Sequence, residues 1–408
     1  MKLKISVACS SLFPPWYSGT QAVGKGLLYS LLNIVRKEPD VELEVFTCKP
    51  PAETMGFPIS SAISSDLKKY RQDILCHENL SIYLLESEEN LATSLLKKCL
   101  HDVEKYDYRV IHVVTTGNLS FPLLYGLISR FKNTFILKHF YTIKVEYPII
   151  QSFMTNTVYD FAVGSSKYVI DNLFGIPSFK KMVIPPAIDC NLFKEVQHPN
   201  IENIIGESNL DIIEDADLKL LYLGQLDEPR FPAKVIFKSI KQARSLGIDI
   251  SLIIVARDYD WWAQAIKRAV KKIGLQDTVV VTAKFLSEYE KVLLYNFSDF
   301  LLHPPSFKWT SGIVDPPITV IEALCCGLPV ISTPIGSIPQ IIKNDLNGYI
   351  LDFECENLTK VIKEISLKGQ RDLREMRKKA RTTGFSLFSI EHVAKELEKV
   401  FQGLTTKP

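Results

Sequence analysis

The chain has 408 residues, 46% hydrophobic and 23% charged, with 48 Lys+Arg against 46 Asp+Glu and a formal net charge of +2. That length bounds two or three domains, and the composition excludes a disordered, collagen-like or coiled-coil chain. A near-neutral balance gives no basis for electrostatic binding to nucleic acid, so any charged ligand must be held by local groups. The 8 cysteines include no pair spaced as a zinc or redox motif, and several lie in apolar runs where a thiol acts as a small hydrophobe. A reducing, cytoplasmic compartment fits this usage.

In chain order, the opening MKLKISVACS is too short an apolar stretch for a signal peptide and reads as a first strand. The uncharged windows at 110–129 and 323–342 are broken by Pro, Gly and small polar residues, so no transmembrane helix is expected. Strands are expected at 4–10, 43–48, 81–85, 109–115, 134–138, 159–164 and 181–185, with a helix at 23–36 whose Val23, Leu27, Leu28, Leu31, Leu32 and Val35 share a stripe. The polar, acidic stretch 196–217 reads as a linker. Strands resume at 218–224, 251–256, 278–283, 299–304 and 328–333, and a last helix begins after a Ser389 cap and stops before Gly403. Alternation of this kind predicts an α/β chain of two Rossmann-like doubly wound domains facing across a cleft. The expected divisions are 1–195, the linker 196–217, 218–385, and 386–408 as a closing helix and tail.

The densest chemistry lies at 311–352. Pro316 and Pro317 precede a run of helical period that should end at Gly327, so a helix N-terminus forms near Pro317, Ile318 and Thr319. Its free N–H groups suit a phosphate or diphosphate. Asp315 precedes Glu322 by about two helical turns, which allows both carboxylates near one ligand and points to sugar hydroxyls as partners. An acid on an apolar helix is costly as scaffolding, which singles out Glu322.

Glu322, Ala323, Gly327, Pro329, Val330, Gly336, Pro339, Asn347 and Gly348 stand in the order of the C-terminal signature of the retaining glycosyltransferases of family four, which this stretch resembles. Asp315 stands near the place of the family's first glutamate with one residue of spacing lost, and Gln340 replaces a Glu. The likeness extends to Ser18-Gly19-Thr20 after the first strand, to His139 at the end of a middle strand, and to 162–176 and 183–193. In the loop 222–240, which resembles the one that neutralises the leaving diphosphate, Gln225 and Phe231 occupy the expected Arg and Lys positions; Arg230 and Lys234 stand close enough to substitute.

The resemblance implies the GT-B fold, transfer of a sugar from a nucleotide-diphosphate donor with retention of configuration, and no cofactor or metal. His139, Asp315 and Glu322 would be catalytic; Gly19, Thr20, Gly224, Arg230, Lys234, Pro317, Ile318 and Thr319 would bind the donor. The acceptor is open among glycans, lipid-linked molecules and small molecules, with room for a peripheral contact at the inner membrane face. The triplets Asp215-Ala216-Asp217 and Asp258-Tyr259-Asp260 are too short to carry a metal site. Two other readings stay open: a catalytically weak paralogue that binds sugar nucleotide or a partner, and a nucleotide-sugar epimerase.

Overall fold

The short β-branched runs of the first half pair as parallel strands. A computed structural model describes all residues except 10–18, 49–77, 86–87, 103, 115–127, 129–130, 132, 143–147, 257–260, 307–313 and 406–408. The chain divides into unit 1, Met1–Ile188 with Ser311–Ile318 and Leu387–Pro408, and unit 2, Asp189–Thr310 with Thr319–Ser386.

Unit 1 runs β1 (Leu3–Cys9), α1 (Gly19–Val35), β2 (Val41–Cys48), β3 (Leu80–Leu85), α2 (Glu88–His101), β4 (Tyr108–Val114), β5 (Thr134–Phe140), α3 (Pro148–Thr157), β6 (Phe161–Gly164), α4 (Lys167–Asp171) and β7 (Lys181–Val183). Its sheet has the order β3-β2-β1-β4-β5-β6-β7, with Leu3 level with both Val41 and Tyr108. The strand order reverses between β1 and β4, the kind of switch point at which open α/β sheets receive ligands beyond their C-terminal ends. One face packs Ile5, Val7, Val110 and Leu137 against Leu27, Leu28 and Leu31 of α1 and against Val393, Leu397 and Phe401 near the chain's end. Each such side chain contributes roughly 1.5–3 kcal/mol when fully buried. The opposite face packs Ala8, Phe46, Ile111 and Ile136 against Leu95 and Cys99 of α2. On that same face Lys4 lies 3.1 Å from Glu42 and 3.4 Å from Glu44, and Ser6 donates to Glu44 at 2.6 Å, so the buried acid has partners.

Unit 2 runs α5 (Glu202–Ile205), α6 (Glu207–Ile213), β8 (Leu218–Gly224), α7 (Ala233–Ser245), β9 (Ile250–Ala256), α8 (Trp261–Lys272), β10 (Val279–Ala283), α9 (Glu288–Phe297), β11 (Phe300–His303), α10 (Ile318–Cys325), β12 (Val330–Ser332), α11 (Ile338–Ile341), β13 (Gly348–Ile350), α12 (Cys355–Ser366) and α13 (Gln370–Phe388). The sheet order is β10-β9-β8-β11-β12-β13, again all parallel. The last helix, α14 (Ile390–Thr405), returns to unit 1.

Three boundaries differ from the sequence reading. The stretch 196–217 is not a plain linker: Ile201, Ile204, Ile205 and Ile213 are buried, and α5 and α6 belong to unit 2. The segment 386–408 is not a separate tail, because the apolar stripe of α14 completes the core of unit 1. That helix also continues through Gly403 instead of stopping before it.

Candidate active site

Helix α10 forms where the reading expected it. Two prolines lead into it, Val320, Ile321, Ala323, Leu324 and Cys325 are buried, and Gly327 follows with φ 76°, the left-handed conformation that ends helices. Glu322 is 2% exposed on this apolar helix. Its carboxylate accepts from Lys291 Nζ at 2.9 Å and from Tyr295 Oη at 2.8 Å. Both donors come from α9, whose start is fixed by a Ser287–Glu290 capping box. Burial and the neighbouring carboxylate push the Tyr295 phenol well up, so it stays a donor. A carboxylate offers about four acceptor positions, so these two bonds leave capacity for ligand hydroxyls.

Asp315 belongs to unit 1 and is wholly buried. Its carboxylate accepts from the Ser166 hydroxyl, its carbonyl accepts from the Ser165 hydroxyl, and its N–H donates to Tyr141 O at 2.9 Å. Ser166 also caps α4, accepting from Val169 N at 3.0 Å. Asp315 therefore holds the Ser-rich turn to the end of β5. Asp315 in unit 1 and Glu322 in unit 2 each have protein partners of their own.

His139 is 2% exposed near the end of β5. Its Nδ1 lies 3.0 Å from Nε2 of His112 on β4. Burial, reinforced by His112 and Lys138, holds the His139 pKa well below the usual imidazole range, and burial alone lowers His112 to about 3. Both rings are neutral at physiological pH.

Gly224 closes β8 and leads to half-buried Gln225. Phe231 packs in the core, 4.6 Å from the Tyr222 ring and 6.0 Å from Phe237, so an apolar side chain fits that position and a lysine would not. Arg230 pairs with Asp227 at 2.6 Å, and Lys234 is exposed in the first turn of α7. Pro317 is buried, while Ile318 and Thr319 at the start of α10 are half-buried. Gly19 and Thr20 open α1; the Thr20 side chain lies outside the described residues, as do Ser18, Asp258 and Asp260. Asp215 and Asp217 are exposed. Among the described residues no group of three or more His, Cys, Asp or Glu is arranged to hold a metal ion, and no helix is long and apolar enough to cross a membrane.

Much of the 311–352 signature is scaffolding. Buried Asn347 accepts from Lys343 N at 2.7 Å and donates to Ile341 O at 3.0 Å, while a Cβ on Gly348 would meet Val330 O at 2.1 Å. Lys291, Tyr295 and His112 support the site residues and escaped the sequence reading, whereas Ser166 lies in the segment 162–176 that the resemblance singles out. Of the first three, only His112 left a signal, as a polar residue inside the apolar run RVIHVV.

Two parallel sheets flanked by helices are a GT-B-type fold, and 212–383, which supplies most of unit 2, matches the family model of the glycosyl transferases group 1. The chain is similar to the lipopolysaccharide 1,2-N-acetylglucosaminetransferase of Salmonella typhimurium, at 23% identity over 55% of this chain and 57% of that one. It is also similar to the N-acetyl-alpha-D-glucosaminyl L-malate synthase of Bacillus anthracis, at 28% identity over 38% of each. The chain thus spans about two fifths to three fifths of these relatives' length. Over nearly its whole length it superposes on Anabaena Alr3699/HepE in complex with UDP, with TM-score 0.69, 14% identity, and 99% and 100% of the two chains covered.

Proposed function

We propose that the protein is a retaining glycosyltransferase that moves a hexosyl unit from a nucleotide-diphosphate sugar to an acceptor without a metal. The observation that carries this reading is Glu322: a buried carboxylate oriented by Lys291 and Tyr295 on a helix of the matched family segment. Glu322 accepts the ribose hydroxyls, and the first turn of α10 with the cations of the 222–240 loop neutralises the diphosphate. The bond from the anomeric carbon to the phosphate oxygen breaks, the acceptor oxygen joins the same face of that carbon, and its proton passes to the departing phosphate. His139 and Asp315, the latter fixed by Ser166, act on the hydroxyls of the transferred sugar.

The protein works in the cytoplasm in peripheral contact with a membrane. What supports the membrane contact is apolar exposure on unit 1: Ile149 at 78% and Phe153 at 65% on α3, with Phe174 at 75% and Phe179 at 74%. Asn156 of α3 donates to Gly175 O at 2.8 Å and accepts from Lys180 Nζ at 3.2 Å, which ties these segments together. Such a patch fits a lipid-linked acceptor.

The test is a panel of nucleotide-diphosphate sugars scored by thermal shift, with EDTA present. A ligand at about 100 times its Kd stabilises by about 2.7 kcal/mol. One donor should raise the melting temperature of the wild type and not that of Glu322→Gln, whose fold by circular dichroism stays unchanged. No shift with any donor, or an undiminished shift in the variant, overturns the reading.

A further inference from the structure

The two buried histidines of unit 1 form a pair whose proton arrangement can be deduced. His112 is level with Leu137 in the parallel β4–β5 register, so His139 stands two residues further along β5 on the same sheet face. The rings stack with centroids 5.2 Å apart and planes 25° apart, and the 3.0 Å contact joins His112 Nε2 to His139 Nδ1. The outward atoms, His112 Nδ1 and His139 Nε2, are both buried without a hydrogen-bond partner among the described residues.

A hydrogen bond between two neutral imidazoles needs one N–H and one lone pair, so only two arrangements exist. In one, His112 donates, leaving a lone pair on His112 Nδ1 and an N–H on His139 Nε2. In the other, His139 donates, leaving the N–H on His112 Nδ1. An orphaned buried N–H is rarer in native proteins than an unused acceptor, so the N–H belongs on the nitrogen that a ligand reaches. His139 is the next-to-last residue of β5, nearer the strand ends where such sheets bind ligands, whereas His112, level with Leu137, lies two residues deeper in the sheet.

We propose that His112 is a positioning residue: its Nε2–H donates to His139 Nδ1 and holds His139 as the Nε2–H tautomer, a neutral donor to an oxygen of the transferred sugar. The sugar as recipient rests on the glycosyl-transfer reading above; the tautomer does not.

The experiment uses the full chain labelled with 15N in its histidines and free of ligand, read by two-bond 15N–1H correlation, with His139 assigned by its loss in His139→Gln. The wild type should show the proton on His139 Nε2. His112→Leu removes the donor, so His139 populates both tautomers and transfer falls about tenfold, the size of one hydrogen bond, while donor affinity changes by less than about threefold. His112→Gln, whose amide N–H replaces Nε2–H, restores tautomer and rate. Should the leucine variant not fold, His112→Asn, whose shorter amide cannot reach, reads the same difference against His112→Gln. A proton on His139 Nδ1 in the wild type, or a leucine variant with wild-type tautomer and rate, overturns the proposal. A wild type with the expected tautomer that binds no nucleotide sugar supports the pairing and overturns the glycosyl-transfer reading.

Discussion

At the scale of single residues, the loop 222–240 shows how a departure from a family pattern is absorbed. Phe231 is core, and the positive charge near it lies on Arg230 and Lys234. Arg230 is already bound to Asp227 and 28% exposed, so its pair is worth about 0–1 kcal/mol of stability. Changing both to glutamine should therefore lower transfer by about tenfold or more while moving the melting temperature little, as steady-state rates and calorimetry would read. Wild-type rates in the double variant would place diphosphate neutralisation elsewhere. The sequence singles out Glu322 as an acid on an apolar helix and His139 through the resemblance at a strand end, and both are buried in the structure. Their supports were not legible, since Lys291 is 31 positions from Glu322 and only the packing of α9 on α10 brings them together.

At the scale of elements, the strands were largely legible because buried parallel strands are continuous β-branched runs. The strand β13 was not, being only Gly348–Ile350. Helices α5 and α6 were missed because an acidic surface face masks the few isoleucines that they bury. Two glycines separate packing from propensity. A Cβ on Gly384 of α13 would lie 2.6 Å from Cys325 N and 2.7 Å from Leu324 C, backbone atoms at the end of α10 that cannot swing aside. Gly384→Ala should cost about 1–3 kcal/mol and weaken donor binding by shifting the Glu322 helix. Gly403 of α14 has open space around its Cβ position, and Gly403→Ala should stabilise by about 0.5–1 kcal/mol. Denaturant melts of both variants check the pair, and equal effects would contradict this packing.

At the scale of the whole molecule, both sheets were foreseeable from the alternation of strands and helices, but the way the chain divides was not. No local pattern reveals that 311–318 and 387–408 rejoin unit 1. The units should also respond differently to acid. His112 and His139 in unit 1 are buried and His303 in unit 2 is half-buried, all with lowered pKa values, about 3 for His112 and about 4 for His303, chiefly through desolvation. The unfolded chain takes up these protons near pH 6.5, so stability is full above that pH and is lost as pH falls toward the folded values. Unit 1, which carries two such rings, should therefore lose more stability than unit 2, which carries one, as the pH falls from 6 to 5. Calorimetry across that range should show the first transition falling faster, and a pH-independent profile would deny the burial of these rings. The return of α14 to unit 1 also sets the order in which a nascent chain matures. Translation normally completes an N-terminal domain first, but here the sheet begun at Leu3 waits for Val393, Leu397 and Phe401 to leave the ribosome, after every residue of the other unit. Until then Leu27, Leu28 and Leu31 lack their final covering, and this half-made face is the surface that a chaperone would meet.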